Sequence, residues 1–206
     1  MSNMILYHYY RSSCSWRVRW AFHHKNIPVK LVAVNLLQAE QHEGGHVKKN
    51  PTHYVPVLEV NGQYYGESMA ILEWIEENYP TPALLPNDPI SRLRVRQLAQ
   101  IIVAGTQPLQ NMTALEQYKD PAEREVQSRK WIDRGLASYE EILQSGVAGT
   151  YSVGSQLSFA DLCLIPQCYN ALRNNLDLSS YPLVHRIYKH CLELESCRKT
   201  APENYV

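Results

Sequence analysis

A chain of 206 residues that is 45% apolar, with 20 basic and 20 acidic side chains, has room for a substantial core and none of the bias of a disordered protein. Its formal net charge of zero, without any Lys/Arg block, argues against a nucleic-acid partner, whose phosphates demand clustered positive charge. No apolar run approaches the ~20 residues that span a bilayer, Met1–Tyr7 lacks the layout of a signal peptide, and five cysteines without metal-ligand spacing read as reduced thiols; a soluble, cytoplasmic protein with no membrane partner and no metal site is expected.

In chain order, the first ~80 residues alternate between strand and helix patterns. Ile5–Tyr9 reads as a strand and Ser15–His24 as a helix, broken by Asn26-Ile27-Pro28. Val29–Val34 alternates again. After an irregular stretch ending at Asn50-Pro51 come Val55–Val60, Asn61-Gly62 and Gln63–Tyr65. Asn-Gly between two such runs is the strongest short signal for a tight hairpin. Ser68–Asn78 has Met69, Ile71, Leu72 and Ile75 at helical spacing, opens on a capping serine and stops before Pro80. This order predicts a small mixed sheet with helices packed on it.

Pro80, Pro82, Pro86 and Pro89 predict a stiff linker. Beyond it only helical patterns follow: Ser91–Ala104, then Pro121–Gln144 with Trp131, Ile132, Leu136, Tyr139 and Ile142 on one face. Leu162–Asn174 is headed by the S-x-x-D capping box of Ser158 and Asp161, and a last helix follows Pro182. The expected division is an α/β domain over 1–80, a linker over 81–89 and an all-helical domain over 90–206.

Ser12-Ser13-Cys14-Ser15-Trp16-Arg17-Val18-Arg19 runs from the first strand into the first helix. Unpaired N–H groups and the positive end of a helix dipole face such a turn, which suits holding a thiol as thiolate. A thiol of pKa about 8.5 is ~3% ionised at pH 7, and lowering it by ~2 units raises that about 25-fold. Falling nucleophilicity trims the gain to several-fold. Positioning the electrophile and stabilising developing negative charge must supply the rest of any acceleration. Read alone, Ser12-Ser13 is first a helix cap, Val55-Pro56 a loop end and Glu67-Ser68 a plain helix start.

Together they say more. Val55-Pro56 before a strand, Glu67-Ser68 at the head of the next helix and an all-helical remainder resemble the glutathione transferases. The opening turn is similar to the SSC-x-W-R-V-R signature of the zeta class. Asn50-Pro51, Gln107-Pro108-Leu109-Gln110-Asn111, Ala160–Gln167 and Asp177-Leu178 carry the same likeness, which spans nearly the whole chain. The resemblance implies a thioredoxin-like α/β N-terminal domain plus an all-α C-terminal domain, glutathione as cofactor, and a homodimer. It also implies an enzyme of tyrosine and phenylalanine breakdown that isomerises maleylacetoacetate to fumarylacetoacetate, or a close bacterial relative acting on maleylpyruvate.

On this resemblance, Ser12 donates its hydroxyl to the glutathione sulfur, with Ser13 and Cys14 lining the same pocket and no covalent role for Cys14. Val55, preceding a cis Pro56, offers its N–H and C=O to the cysteinyl backbone as an added strand would. Ser68 takes the γ-glutamyl carboxylate. Glu67, where zeta relatives often carry Gln, accepts from the α-amino group, and Gln41 reaches for the glycyl carboxylate. Gln107, Asn111, Met112 and Thr113 are further glutathione contacts. Arg11, Arg173 and Gln110 serve the dianionic diketo acid substrate. Thiolate addition to the cis double bond, rotation and elimination of thiolate return the trans acid with glutathione unconsumed.

The same thiol and anion sites fit a transferase acting on α-halo acids. The fold also carries non-catalytic interaction modules, against which the intact turn and Glu67-Ser68 pair argue. His42 and His46 lie four apart in a Gly-rich loop without an acidic partner motif and are not read as metal ligands. The neighbours His23 and His24 do not share one helix face. Tyr7, Tyr9 and Tyr10 are read as packing residues rather than as the thiol-activating tyrosine of other classes.

Overall fold

The computed structural model describes residues 4–205; Met1–Asn3, part of the N-terminal stretch weighed against a signal peptide, and Val206 lie outside the described residues. The chain divides into two compact units, one running to Ala83 and resuming at Glu195, the other Leu84–Leu194.

In the first unit, β1 (Met4–His8) alternates buried Met4, Leu6 and His8 with half-buried Ile5 and Tyr7, the period of two that a strand imposes. It leads through α1 (Ser13–His24), β2 (Lys30–Ala33), short helical turns ending in α2 (Gly44–Val47), β3 (Val57–Val60) and β4 (Gln63–Tyr65) to α3 (Ser68–Asn78). Among the described residues the sheet order is β2-β1-β3-β4. β1 runs parallel to β2 and antiparallel to β3, and β3 antiparallel to β4. Leu6 pairs with Leu58 and Tyr7 with Val57. Asn61 and Gly62 take φ of 51° and 78°, the doubly positive turn whose twist matches the flanking strands.

The helix α1 is buried on every side from Ser15 to Phe22, including Trp16, Arg17, Arg19 and Trp20. It starts two residues before the expected Ser15 because Ser12 caps it. Just past its end, the buried Lys25 ammonium meets the last turn of α3 and the segment beyond: Tyr79 C=O at 2.7 Å, Pro82 C=O at 2.5 Å and Glu76 Oε2 at 2.7 Å. Three acceptors match three donors, and a cation belongs at this negative end of a helix.

The second unit is helical: α4 (Pro89–Val103), α5 (Met112–Leu115), α6 (Pro121–Ile142), α7 (Phe159–Arg173) and α8 (Pro182–Glu193). Asp88 and Asp120 cap α4 and α6 through Ser91 N–H and Ala122 N–H, each with proline next. The Ser158/Asp161 capping box heads α7, which therefore starts three residues before the expected Leu162. This helix is buried from Phe159 to Cys168 and forms the core of its unit. On α6, a Cβ at Gly135 would lie 2.0 Å from Thr106 Oγ1, an approach only glycine permits. No helix among the described residues is long and apolar enough to cross a membrane.

One feature departs from the expected division. α9 (Glu195–Thr200) and the residues after it belong with the first unit. The reason lies on α1, whose two indoles and second arginine need polar partners. Trp16 Nε1 donates to Thr200 Oγ1 at 3.3 Å, Trp20 Nε1 to Ser196 Oγ at 3.0 Å and Arg19 Nη2 to Thr200 C=O at 3.2 Å. Tyr205 lies under the Arg19 guanidinium at 4.7 Å and edge-on to His8.

Candidate functional site

The turn before α1 is tied to the end of β1. Ser12 N–H donates to Tyr9 C=O at 3.1 Å, and Tyr9 N–H donates to Ser15 Oγ at 3.3 Å. Ser12 has the extended backbone of an N-cap, and its Oγ accepts from Ser15 N–H at 3.2 Å. A hydroxyl that accepts keeps its own proton to donate. Cap and thiol donor thus use opposite halves of one group, and the two readings of Ser12 are compatible. Ser13 is buried, while Ser12 and Cys14 are half-buried. The other four cysteines are buried; burial pushes Cys197 up to about 12 and Cys168 upward as well.

Arg11 Nη2 donates to Tyr9 Oη at 3.2 Å, and its guanidinium lies 5.1 Å from the Tyr10 ring. Burial, together with the hydrogen bond Tyr7 donates to Glu59 Oε2 at 2.8 Å, pushes the Tyr7 phenol up to about 12. Tyr7 therefore spends its O–H on Glu59 and does not offer it to a thiolate.

The Val55–Pro56 peptide is cis and both residues are buried. Neither the N–H nor the C=O of Val55 bonds to another described residue, so both suit an extended peptide backbone laid alongside. Asn50 organises the loop before it: Nδ2 donates to Tyr54 C=O at 3.0 Å and Oδ1 accepts from Thr52 N–H at 3.2 Å. His46 Nε2 lies 3.0 Å from the same Tyr54 oxygen, and His42 Nδ1 lies 3.0 Å from His53 Nδ1. Gln41 sits half-buried in a short helical turn, its Oε1 buried without a partner among the described residues.

Glu67 stands at φ 60° in front of α3, exposed and providing no side-chain cap; the first turn of α3 holds no acidic residue. Ser68 is buried, and its Oγ accepts from Arg17 Nη1 at 3.2 Å. Arg17 is the residue that sequence reading missed. In the chain it looks like any basic position of a helix, and nothing local links it to a serine 51 residues on. The resulting set is a hydroxyl at one helix head, an open backbone edge at Val55, and a second helix head with a hydroxyl and a buried cation. It suits a ligand with a thiol, an extended peptide backbone and a carboxylate, the chemistry of glutathione.

The remaining candidates belong to the second unit. Gln107 and Gln110 lie in a short helical turn before α5, and the amides of Gln110 and Gln167 exchange two hydrogen bonds of 2.9 Å. Gln167, wholly buried on α7, was not singled out from the sequence. Asn111 Oδ1 caps α5 through Met112 N–H at 2.9 Å, and Met112 and Thr113 are exposed. Arg173 is exposed in the last turn of α7, 5.9 Å from the Tyr169 ring.

Residues 6–83 match the model of the glutathione S-transferase N-terminal domain. Maleylacetoacetate isomerase of Rattus norvegicus is 43% identical over 200 residues, covering 96% of this chain and 92% of that protein. A solved maleylpyruvate isomerase, a bacterial glutathione S-transferase of the zeta class, is 38% identical with a TM-score of 0.93 and 96% of each chain covered. The chain belongs to the zeta class of the glutathione transferases. Its thioredoxin-like unit and helical remainder are those of this family. The chain is also similar to maleylacetoacetate isomerase of Anaeromyxobacter dehalogenans 2CP-1, solved with glutathione bound in the active site. That protein is 42% identical, with a TM-score of 0.89 and coverage of 98% of this chain and 96% of the other.

Proposed function

We propose that this zeta-class chain is a glutathione-dependent isomerase that converts maleylacetoacetate to fumarylacetoacetate in tyrosine and phenylalanine breakdown, working in the cytoplasm as a homodimer. The observation that carries the reading is the Ser12 hydroxyl, held as an acceptor by Ser15 N–H at the head of α1 with its proton left to donate. Bound glutathione supplies the thiol sulfur whose reversible addition to the double bond lets that bond turn. Ser12 donates to this sulfur and, with the dipole of α1, favours its ionised form, while Ser13 and Cys14 line the pocket around it. Val55 pairs with the cysteinyl backbone beside Pro56. Ser68 and Glu67 hold the γ-glutamyl carboxylate and amino group, and Gln41 the glycyl carboxylate. Gln107, Asn111, Met112 and Thr113 add contacts. Arg11, Arg173 and Gln110 receive the carboxylates of the diketo acid. In this assignment residues 1–80, rejoined by 195–205, form the glutathione domain, 81–89 the linker, and 90–194 the domain for substrate and dimer contacts.

Turnover of maleylacetoacetate with glutathione tests the assignment. Ser12→Ala is expected to lower kcat/KM several-fold, about the net gain left after falling nucleophilicity, and, by removing the cap, stability by about 1 kcal/mol. Ser12→Asp restores the cap with a carboxylate that has no proton to donate, so stability returns and turnover does not. Absence of isomerisation by the wild type, or undiminished turnover in Ser12→Ala, overturns the reading. A second reading has its own support: a maleylpyruvate isomerase from Ralstonia is 38% identical over 97% of this chain. The ratio of kcat/KM for the two acids decides between them.

A further inference from the structure

Three buried cations lie on or just past α1; Lys25 is fully engaged, and Arg19 is engaged at every nitrogen but Nε. Lys25 has a carboxylate and two carbonyls. Arg19 has His8 and the carbonyls of Tyr9, Tyr10 and Thr200. Arg17, 0% exposed, has one neutral partner, Ser68 Oγ at 3.2 Å. Its Nε and Nη2 are buried without partners, and it has no ion pair among the described residues.

Arg17 also faces the unfavourable end of a helix. The N-terminus of α3 carries positive partial charge and repels a cation, so a buried guanidinium beside it is costly until an anion completes the cluster. No described side chain supplies that anion. The first turn of α3 holds no acidic residue, and Glu67 just before it is exposed and does not cap.

We infer that Arg17 is the positioning residue of a carboxylate seat at Ser68: it pins the serine hydroxyl as an acceptor, so that the O–H proton points to the ligand, and adds a buried positive charge behind the α3 N–H groups. This rests on reading Ser68 as the seat of the γ-glutamyl carboxylate. A cationic donor on the serine oxygen polarises its O–H and strengthens the bond it donates in turn. The unpartnered nitrogens have no access to solvent, so Arg17 acts through Ser68 and through its field rather than by touching the ligand.

Calorimetric titration with two probes, glutathione and γ-aminobutyryl-cysteinyl-glycine, which lacks only the γ-glutamyl α-carboxylate, tests this. The wild type should bind glutathione about 10–100-fold more tightly than the truncated peptide, the range of a charged hydrogen bond. Arg17→Met should bring the ratio to within about threefold, with the affinity for the truncated peptide little changed. Thermal unfolding of unliganded Arg17→Met should stay at or above the wild-type midpoint, because an apolar side chain replaces an unpaired buried charge. Arg17→Lys should give an intermediate ratio and serves if the methionine variant does not fold. A wild-type ratio kept in these variants overturns the role of Arg17. Equal losses for both probes with a lowered midpoint also overturn it, because that is the signature of a merely structural residue. A wild type that does not distinguish the probes overturns the Ser68 seat itself.

Discussion

At its C-terminal end, α3 meets Lys25, whose charge suits the helix dipole and whose three donors find three acceptors. At its N-terminal end it meets Arg17, whose charge opposes the dipole and whose guanidinium finds one hydroxyl. Both cations are buried and both are held against α3 from α1. The difference separates two uses of buried charge. A complete set of partners at the favourable helix end makes a clamp; an incomplete set at the unfavourable end makes a receptor for an anion.

Lys25→Met tests the clamp most severely. It leaves Glu76 and two carbonyls without their ammonium, and the expected loss is about 3–5 kcal/mol in urea unfolding. A loss below about 1 kcal/mol would erase the contrast with Arg17→Met. The next effect is read in pH and concerns Arg19, the third of these cations, whose Nη1 lies 3.1 Å from His8 Nδ1. Burial and then the Arg19 charge push His8 down from 6.5 to about 4. The unfolded chain therefore binds a proton through that window while the folded one does not. Stability is constant above pH 6.5, falls as pH is lowered towards about 4, and is lower by roughly 3 kcal/mol beyond it. His8→Gln should flatten this part of the stability profile; an unchanged acid slope would place its cause elsewhere. The smallest effect belongs to Glu76→Gln, which keeps an acceptor for Lys25 but removes the charge. About 1 kcal/mol is expected, and a cost equal to that of Lys25→Met would mean that charge alone, not the set of acceptors, makes the clamp.

What could be read from the chain was local. Ser68 and Pro80 bracket a helix observed over Ser68–Asn78, because caps and helix stops act within a few residues. Asn61-Gly62 announces its hairpin for the same reason, through two positive φ angles. Ser158 and Asp161 are three residues apart and close their box without help from elsewhere. The pairings that organise the candidate site are not local. Arg17 reaches Ser68 across 51 residues, Arg19 reaches Thr200 across 181, and Gln110 reaches Gln167 across 57. Burial on all sides of α1 also mixes arginines with tryptophans, so no apolar stripe marks which face each side chain takes. Ser12 falls between the two cases. Its capping role is local and legible, whereas the direction of its remaining proton depends on a ligand.

The return of residues 195–205 to α1 has a consequence for the order in which the protein is made. The helical unit is one uninterrupted stretch, Leu84–Leu194, and needs no residue made after it. The N-terminal unit is translated first yet finished last, since Trp16, Trp20 and Arg19 wait for Ser196 and Thr200. At ribosomal speed that wait is on the order of ten seconds. A chain truncated after Leu194 would carry a complete helical unit and an α1 whose indoles still lack their partners.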